Sequence, residues 1–262
     1  MNGVFYIGAT GLEAQQRALE IVSNNIANLT TPGFKRSQAR FSQLMAVPAA
    51  QDAGQVAGQD GVSADVQPAF MGVKLDGAPV DFTQGQLKQT GSALDVAIDG
   101  GGFIELMGPG GQTALWRGGT MVVNPDGYLA AANGMPLQAM ISVPRDAKSL
   151  TIAADGKVMA TVDGTADPIN IGQIDLVQDV DPATLTAVNG GVYLPVSDAD
   201  LTSSAPGSDG AGALAQGFVE TSNVDLANEM VTLLLLQRSY SANAQIVQAG
   251  DQLMSIANDL RK

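Results

Sequence analysis

The stretch LANEMVTLLLLQRSYSANAQIVQAGDQLM, residues 226–254, carries Leu226, Leu233, Tyr240, Val247 and Met254 at every seventh position. Near the opposite end Phe5, Leu12, Leu19 and Ile26 fall at the same interval, with Val22 and Leu29 at the intermediate heptad positions. A seven-residue apolar repeat lays a narrow stripe along one side of a helix, and that stripe needs a partner helix. The long stretch between the two has no such periodicity. The pattern predicts an α+β protein in which N- and C-terminal helices pair as a coiled coil around a β-rich central region. Periodicity alone leaves two pairings open: a helical hairpin within one chain, or packing between neighbouring copies. Both point to assembly before catalysis.

The first helix is expected from about Gly11 to Leu29. Thr10 and Glu13 have capping-box spacing, and Thr31-Pro32-Gly33 supplies the stop. The last helix is expected from Ser222 or Asn223 to the end, where Ser222 and Asp225 repeat that spacing and no Pro intervenes. At 1.5 Å per residue such a helix would extend roughly 57 Å. Between them, Leu94–Ile98 alternates, Asp99-Gly100-Gly101-Gly102 turns, and Phe103–Leu106 reads as a strand. Asp155-Gly156 between Leu150–Ile152 and Val158–Val162 gives the cleanest hairpin signal. Ile169–Val177 and Val192–Val196 read as further strands, and 197–213 as a loop. Residues 46–69 read as a flexible loop or an extended hairpin ordering on assembly. The domains expected are 1–35 with 222–262 (helical), 36–93 (partly extended linker) and 94–221 (β-rich, outer).

Composition narrows the chemistry. The 262 residues contain no Cys and no His, which removes disulfides, thiolate nucleophiles, imidazole bases and the commonest transition-metal ligands. Gly100-Gly101-Gly102 is not followed by the Lys-Ser/Thr of a phosphate loop and reads as a tight turn. Asp179, Asp181, Asp198 and Asp200 lack calcium-loop spacing. Trp116 reads as a core or half-buried residue of the β region. No catalytic residue, cofactor or metal is expected. A carboxylate-dependent secreted hydrolase or a β-type binding protein is the rival reading, and either would survive removal of both ends.

The formal charge of −13 argues against nucleic acid and anionic membrane as partners. It is unevenly spread. Residues 1–50 carry Arg17, Lys35, Arg36 and Arg40 against Glu13 and Glu20, whereas 158–237 holds eleven acidic residues and no Lys or Arg. The acidic part is either a solvated surface or the complement of a neighbour's N-terminal part. The N-terminus lacks a basic signal-peptide n-region. The longest apolar run, Met230–Leu236, is far short of the ~20 residues of a membrane span. Neither membrane insertion nor a cleaved signal is expected.

Several blocks are more specific. Asn24-Asn25-Ile26-Ala27-Asn28-Leu29-Thr30-Thr31-Pro32-Gly33-Phe34-Lys35 resembles the signature of bacterial flagellar rod and hook proteins. So do Asp95–Phe103, Gly217–Asp225, and Gln237-Arg238-Ser239-Tyr240 with Asn243, in the same order and spacing. Within that family, length and the similarity of 137–196 and 214–240 favour the distal rod over proximal rod or hook subunits. Two segments depart from it. The usual aromatic-Thr-Arg-x-Gly-x-Phe block reads Leu115-Trp116-Arg117-Gly118-Gly119-Thr120-Met121, and 46–69 is dissimilar.

The resemblance implies a structural subunit of the basal-body rod, where it crosses the periplasm. The subunit would self-assemble as a helical homopolymer that encloses the export channel and transmits torque. Implied partners are other copies, other rod and hook proteins, the P- and L-ring bushing and the flagellar type III export apparatus. The implied assembly interface comprises the seam positions Phe5, Leu12, Leu19, Val22, Ile26, Leu226, Met230, Leu233, Tyr240, Val247 and Met254. To these it adds Gln237, Arg238 and Asn243, and the turn residues Asn28, Thr31, Gly33 and Phe34.

Overall fold

The computed structural model describes residues 2–46, 69–163, 167–188, 191–197 and 200–259. Helix α1 (Asn2–Ala27) is followed by strands β1 (Phe41–Ala46), β2 (Ala69–Leu75), β3 (Leu87–Gln89), β4 (Asp95–Asp99), β5 (Phe103–Met107) and β6 (Thr113–Trp116). Next come β7 (Gly118–Val123), β8 (Leu129–Ala131), β9 (Ala147–Ile152), β10 (Lys157–Val162), β11 (Ile169–Gln173) and β12 (Leu176–Asp179). The chain ends with β13 (Thr186–Val188), β14 (Val192–Leu194), β15 (Leu201–Ser204), β16 (Ala213–Gln216), β17 (Phe218–Glu220) and helix α2 (Leu226–Asp259). The fold is α+β, with one helix at each end of a β-rich middle.

The chain divides into two compact units. The first comprises Met1–Ser23, Ala39–Ala78 and Ala227–Lys262, and the second Asn24–Gln38 and Pro79–Leu226.

In the first unit, three contacts set the two helices antiparallel. A Cβ on Gly8 would lie 2.6 Å from Val247 Cγ2, one on Gly11 3.2 Å from Asn243 Nδ2, and one on Gly250 3.4 Å from the Phe5 ring. The buried line of α1 is Gly8, Ala14, Ala18, Val22, a run of small side chains that admits a close neighbour. β1 and β2 form an antiparallel pair from Phe41↔Leu75 to Ala46↔Ala69, with a bulge between Leu44 and Met45. The pair reaches α1 at Gly72, where a Cβ would lie 2.2 Å from Thr10 Oγ1.

The helix starts expected from the capping boxes are displaced. α1 begins at Asn2, so Thr10 lies inside it and bonds back to Ile7 O at 3.0 Å, while Glu13 pairs with Arg17 at 2.8 Å. Tertiary packing carries the helix through Gly8 and Gly11, which propensity alone would not. α2 begins at Leu226, because Phe218–Glu220 is drawn into strand β17 and Ser222 Oγ instead accepts from the Val224 N–H at 3.3 Å.

In the second unit a six-stranded sheet has the order β13-β14-β6-β5-β12-β15, a four-stranded sheet the order β16-β4-β7-β8, and a three-stranded sheet the order β11-β10-β9. Their shared core includes Val96, Ile98, Ile104, Leu106, Trp116, Met121, Leu129, Ile174 and Leu176. The Asp155-Gly156 hairpin forms as expected, pairing β9 and β10 through Ile152↔Val158. The glycine turn is placed, and two other expectations are corrected. β4 and β5 do not pair with each other: β4 joins β7 and β16, and β5 joins β6 and β12, so Gly100–Gly102 carries the chain between sheets. Residues 169–177 split into β11 and β12, with Ile174 turned into the core. The expected 197–213 loop contains β15, which pairs with β12. Of the segment 46–69, residues 47–68 lie outside the described residues.

Candidate functional site

Two features stand out: the faces of the terminal helices, and a buried cluster of charge where the family-like blocks converge.

Along α2, Glu229 is the one buried residue among those described, while Leu233, Leu236, Asn243, Ala244, Val247 and Gly250 are half-buried. Apart from Ala244, these positions fall on a four-three repeat that skips only the more exposed Tyr240, the spacing of a helix–helix seam. The other sides of the helix mix polar residues with large apolar ones. Met230, Val231, Leu234, Leu235, Ile246, Leu253 and Ile256 are more than half exposed, and Leu226, Tyr240 and Met254 slightly less so. Exposed apolar side chains in this number on one helix mark a surface for partners. Burying the exposed remainder of such side chains is worth about 1 kcal/mol each.

The other sequence-derived positions are placed as follows. Phe5, Leu12, Leu19 and Ile26 are half-buried on α1, flanking the buried line to which Val22 belongs. Gln237 and Arg238 are exposed on α2. Asn28 closes α1: its side-chain amide donates to Asn24 O at 2.9 Å and its Oδ1 accepts from Thr31 Oγ1 at 3.2 Å. Gly33 is buried at φ +70, a left-handed conformation with Gly118 O 3.3 Å from where a Cβ would stand, so a side chain is excluded twice over. Phe34 is half-buried.

Sequence reasoning did not single out the residues around this turn, all in the second unit. Glu220, 2% exposed, accepts from Lys35 Nζ at 2.5 Å and Gly85 N at 2.7 Å through Oε1, and from Arg117 Nε at 3.1 Å through Oε2. Lys35 Nζ also donates to Thr83 O at 2.8 Å. The guanidinium of Arg117 donates on to the carbonyls of Gly100 and Gly102 and lies 5.9 Å from the Phe103 ring centroid. Burial lowers the Lys35 pKa from its ordinary 10.5, and the bond to Glu220 opposes that shift. The Gly33 N–H donates to Glu220 O at 2.8 Å. Phe82, Phe103 and Tyr193 stack edge-on nearby with centroids 5.0–6.0 Å apart.

Asn223 ties the neighbouring strands together. Its Oδ1 accepts from Arg36 N at 2.8 Å, and its Nδ2 donates to Asp81 O and Thr83 O at 2.8 and 3.0 Å. The side chain of Asn25 exchanges two hydrogen bonds with the Ser37 backbone, at 2.9 and 3.0 Å. Asn25 and Lys35 lie in the first of the four blocks noted in the sequence, Gly100, Gly102 and Phe103 in the second, and Glu220 and Asn223 in the third. The missed signal was a charge in each of three separated segments: Lys35 and Glu220 inside blocks, and Arg117 in the segment that departs from the family pattern.

A carboxylate saturated by three donors is a structural tie, and the features together define a protein built to be joined to others. The comparisons agree. Three family profiles match: "Flagella basal body rod protein" over residues 5–35, "Flagellar hook protein FlgE/F/G D1 domain" over 97–160, and "Flagellar basal body rod FlgEFG protein C-terminal" over 215–260. The chain is 35% identical over 256 residues to the flagellar basal-body rod protein FlgG of Caulobacter vibrioides, covering 97% of each chain. It is 31% identical over 265 residues to that of Borreliella burgdorferi, covering 100% of each. To the rod protein FlgF of Caulobacter vibrioides it is 29% identical, covering 94% of this chain and 93% of that one. The chain belongs to the flagellar basal-body rod protein family. That family is structural, not enzymatic. Among the described residues no helix is long and apolar enough to cross a membrane.

Proposed function

We propose that the chain is the distal-rod subunit of the bacterial flagellar basal body, polymerising with copies of itself into a hollow shaft that transmits torque and surrounds the export channel. The observation that carries the reading is the apolar surface left open around α2, in a chain alike over its full length to FlgG proteins. In the polymer, α1 and α2 pair as a coiled coil, and the open faces of α2 are covered by the helices of neighbouring copies. The seam residues from Phe5 to Met254 are then packing contacts, and the β-rich unit forms the outer layer. Contacts between identical copies that do not close on themselves propagate a helix. Other rod and hook subunits continue the shaft at its ends, and the P- and L-ring bushing surrounds it. The chain reaches its site unfolded through the type III export apparatus, its helices ordering as neighbours arrive. The acidic stretch of residues 158–237 faces a basic N-terminal part of the adjacent copy.

Electron cryo-tomography of basal bodies in cells lacking the gene tests this. The expected result is a proximal stub without distal rod or hook. A complete rod without a hook would move the subunit to the hook. Intact, rotating flagella would overturn the proposal.

A further inference from the structure

The chain passes from one compact unit to the other four times, at 23/24, 38/39, 78/79 and 226/227. On the side of the β-rich unit, the residues at all four crossings are tied into one hydrogen-bond network. Asn25, next to the first crossing, holds the Ser37 backbone. Gln38 N donates to Pro79 O at 3.0 Å, joining the second crossing to the third, and Asp81 N donates to Arg36 O at 2.8 Å. Asn223, shortly before the fourth, bonds Arg36 and Asp81 together. The buried Lys35–Glu220–Arg117 cluster then fastens this network to the turn at Gly100 and Gly102 that leads into β5. Joining every crossing strand to one anchored point is what a connection under torsional load requires.

We infer that this network, centred on Asn223 and anchored by Lys35–Glu220–Arg117, is a mechanical clasp that makes the four strands bear torque as one. The inference rests on the reading of the chain as a rod subunit.

The test variant is Lys35→Met with Glu220→Gln. Native Lys35, Arg117 and Glu220 leave a net buried charge of +1, and so does Arg117 alone in the variant. Glu220→Gln keeps the side-chain shape, Lys35→Met is unbranched and one atom shorter, and Thr83 O keeps its bond from Asn223 Nδ2. The tie from residue 35 to 220 is lost and the net buried charge is unchanged, while Arg117 keeps the carbonyls of Gly100 and Gly102 but loses its carboxylate partner. The full-length variant gene is placed in cells lacking the native one, and single-motor rotation is followed as the viscosity of the medium is raised. The expected result is normal flagellar number and normal rotation at low load, with broken or stalled shafts at loads that the wild type sustains. A wild-type torque–speed curve would overturn the clasp. If the double variant does not assemble, Asn223→Ala carries the test, since it removes the ties to Arg36, Asp81 and Thr83 but leaves the buried charges paired. Wild-type performance of Asn223→Ala under load would then overturn the clasp. Flagella that form and rotate with no copy of the gene would instead bring down the rod reading and the clasp with it.

Discussion

Leu235→Asp separates what holds the monomer together from what holds the assembly. Leu235 is 58% exposed in the middle of α2, so the monomer loses little on replacement: some buried apolar surface and part of its helix propensity, together below about 1 kcal/mol. In the polymer the same position would be covered. The substitution then forfeits the rest of a leucine burial, about 1–1.5 kcal/mol, and obliges a carboxylate to lose water, several kcal/mol more. A combined penalty near 4 kcal/mol per subunit would raise the concentration needed for assembly roughly a thousandfold, at tenfold per 1.4 kcal/mol. The assay pairs the thermal melt of the purified full-length chain with swimming and flagellar counts of cells carrying only the variant. Expected are a melting temperature close to wild type and no flagella. Wild-type swimming would refute the argument that this face is covered, and a strongly depressed melting temperature would refute the argument that the monomer leaves it open.

Gly8→Val places a branched side chain where a Cβ alone would lie 2.6 Å from Val247. It should force the helices apart and cost about 1–3 kcal/mol, read as lower helix content by circular dichroism with the β-rich unit unaffected. Arg117→Lys replaces a fork serving Glu220 and two carbonyls by a single ammonium group. Leaving at least one buried carbonyl unpaired should cost about 2 kcal/mol or more, measured by denaturant titration. Burial raises the Tyr193 pKa above its ordinary 10.0. The folded state therefore keeps a proton that the unfolded chain releases, and the stability tied to that proton is complete below pH 10 and lost as pH rises beyond it. The stability difference between wild type and Tyr193→Phe should be flat below pH 10 and shift against the wild type above it; a difference independent of pH through that range would contradict the burial argument.

Local order was legible in the residues themselves. The heptads at 5–26 and 226–254 announce two helices because apolar period alone decides element type. Asp155-Gly156 announces a hairpin because its turn chemistry lies between two matched strands. The absence of His and Cys closes off much of catalysis, and the four blocks mark the family. Helix starts were less legible, since Thr10-x-x-Glu13 carries a capping pattern that the packing of Gly8 and Gly11 against α2 overrides. The neighbours of β4 and β5 were not legible either, because a glycine turn reads alike whether it joins partners in one sheet or strands of two.

The sequence by itself therefore determined that the chain has helical ends, a β-rich middle and neither imidazole nor thiol groups. The tertiary structure alone decided which side of α1 is buried, because the small residues Gly8, Ala14 and Ala18 admit a close neighbour where the larger Leu12 and Leu19 do not. It also decided that Lys35 and Glu220 meet at 2.5 Å across 185 residues of chain. Periodicity and turn chemistry act over a few residues and can be read along the chain. The partner of a buried charge is fixed only when distant segments are folded together and water is excluded between them.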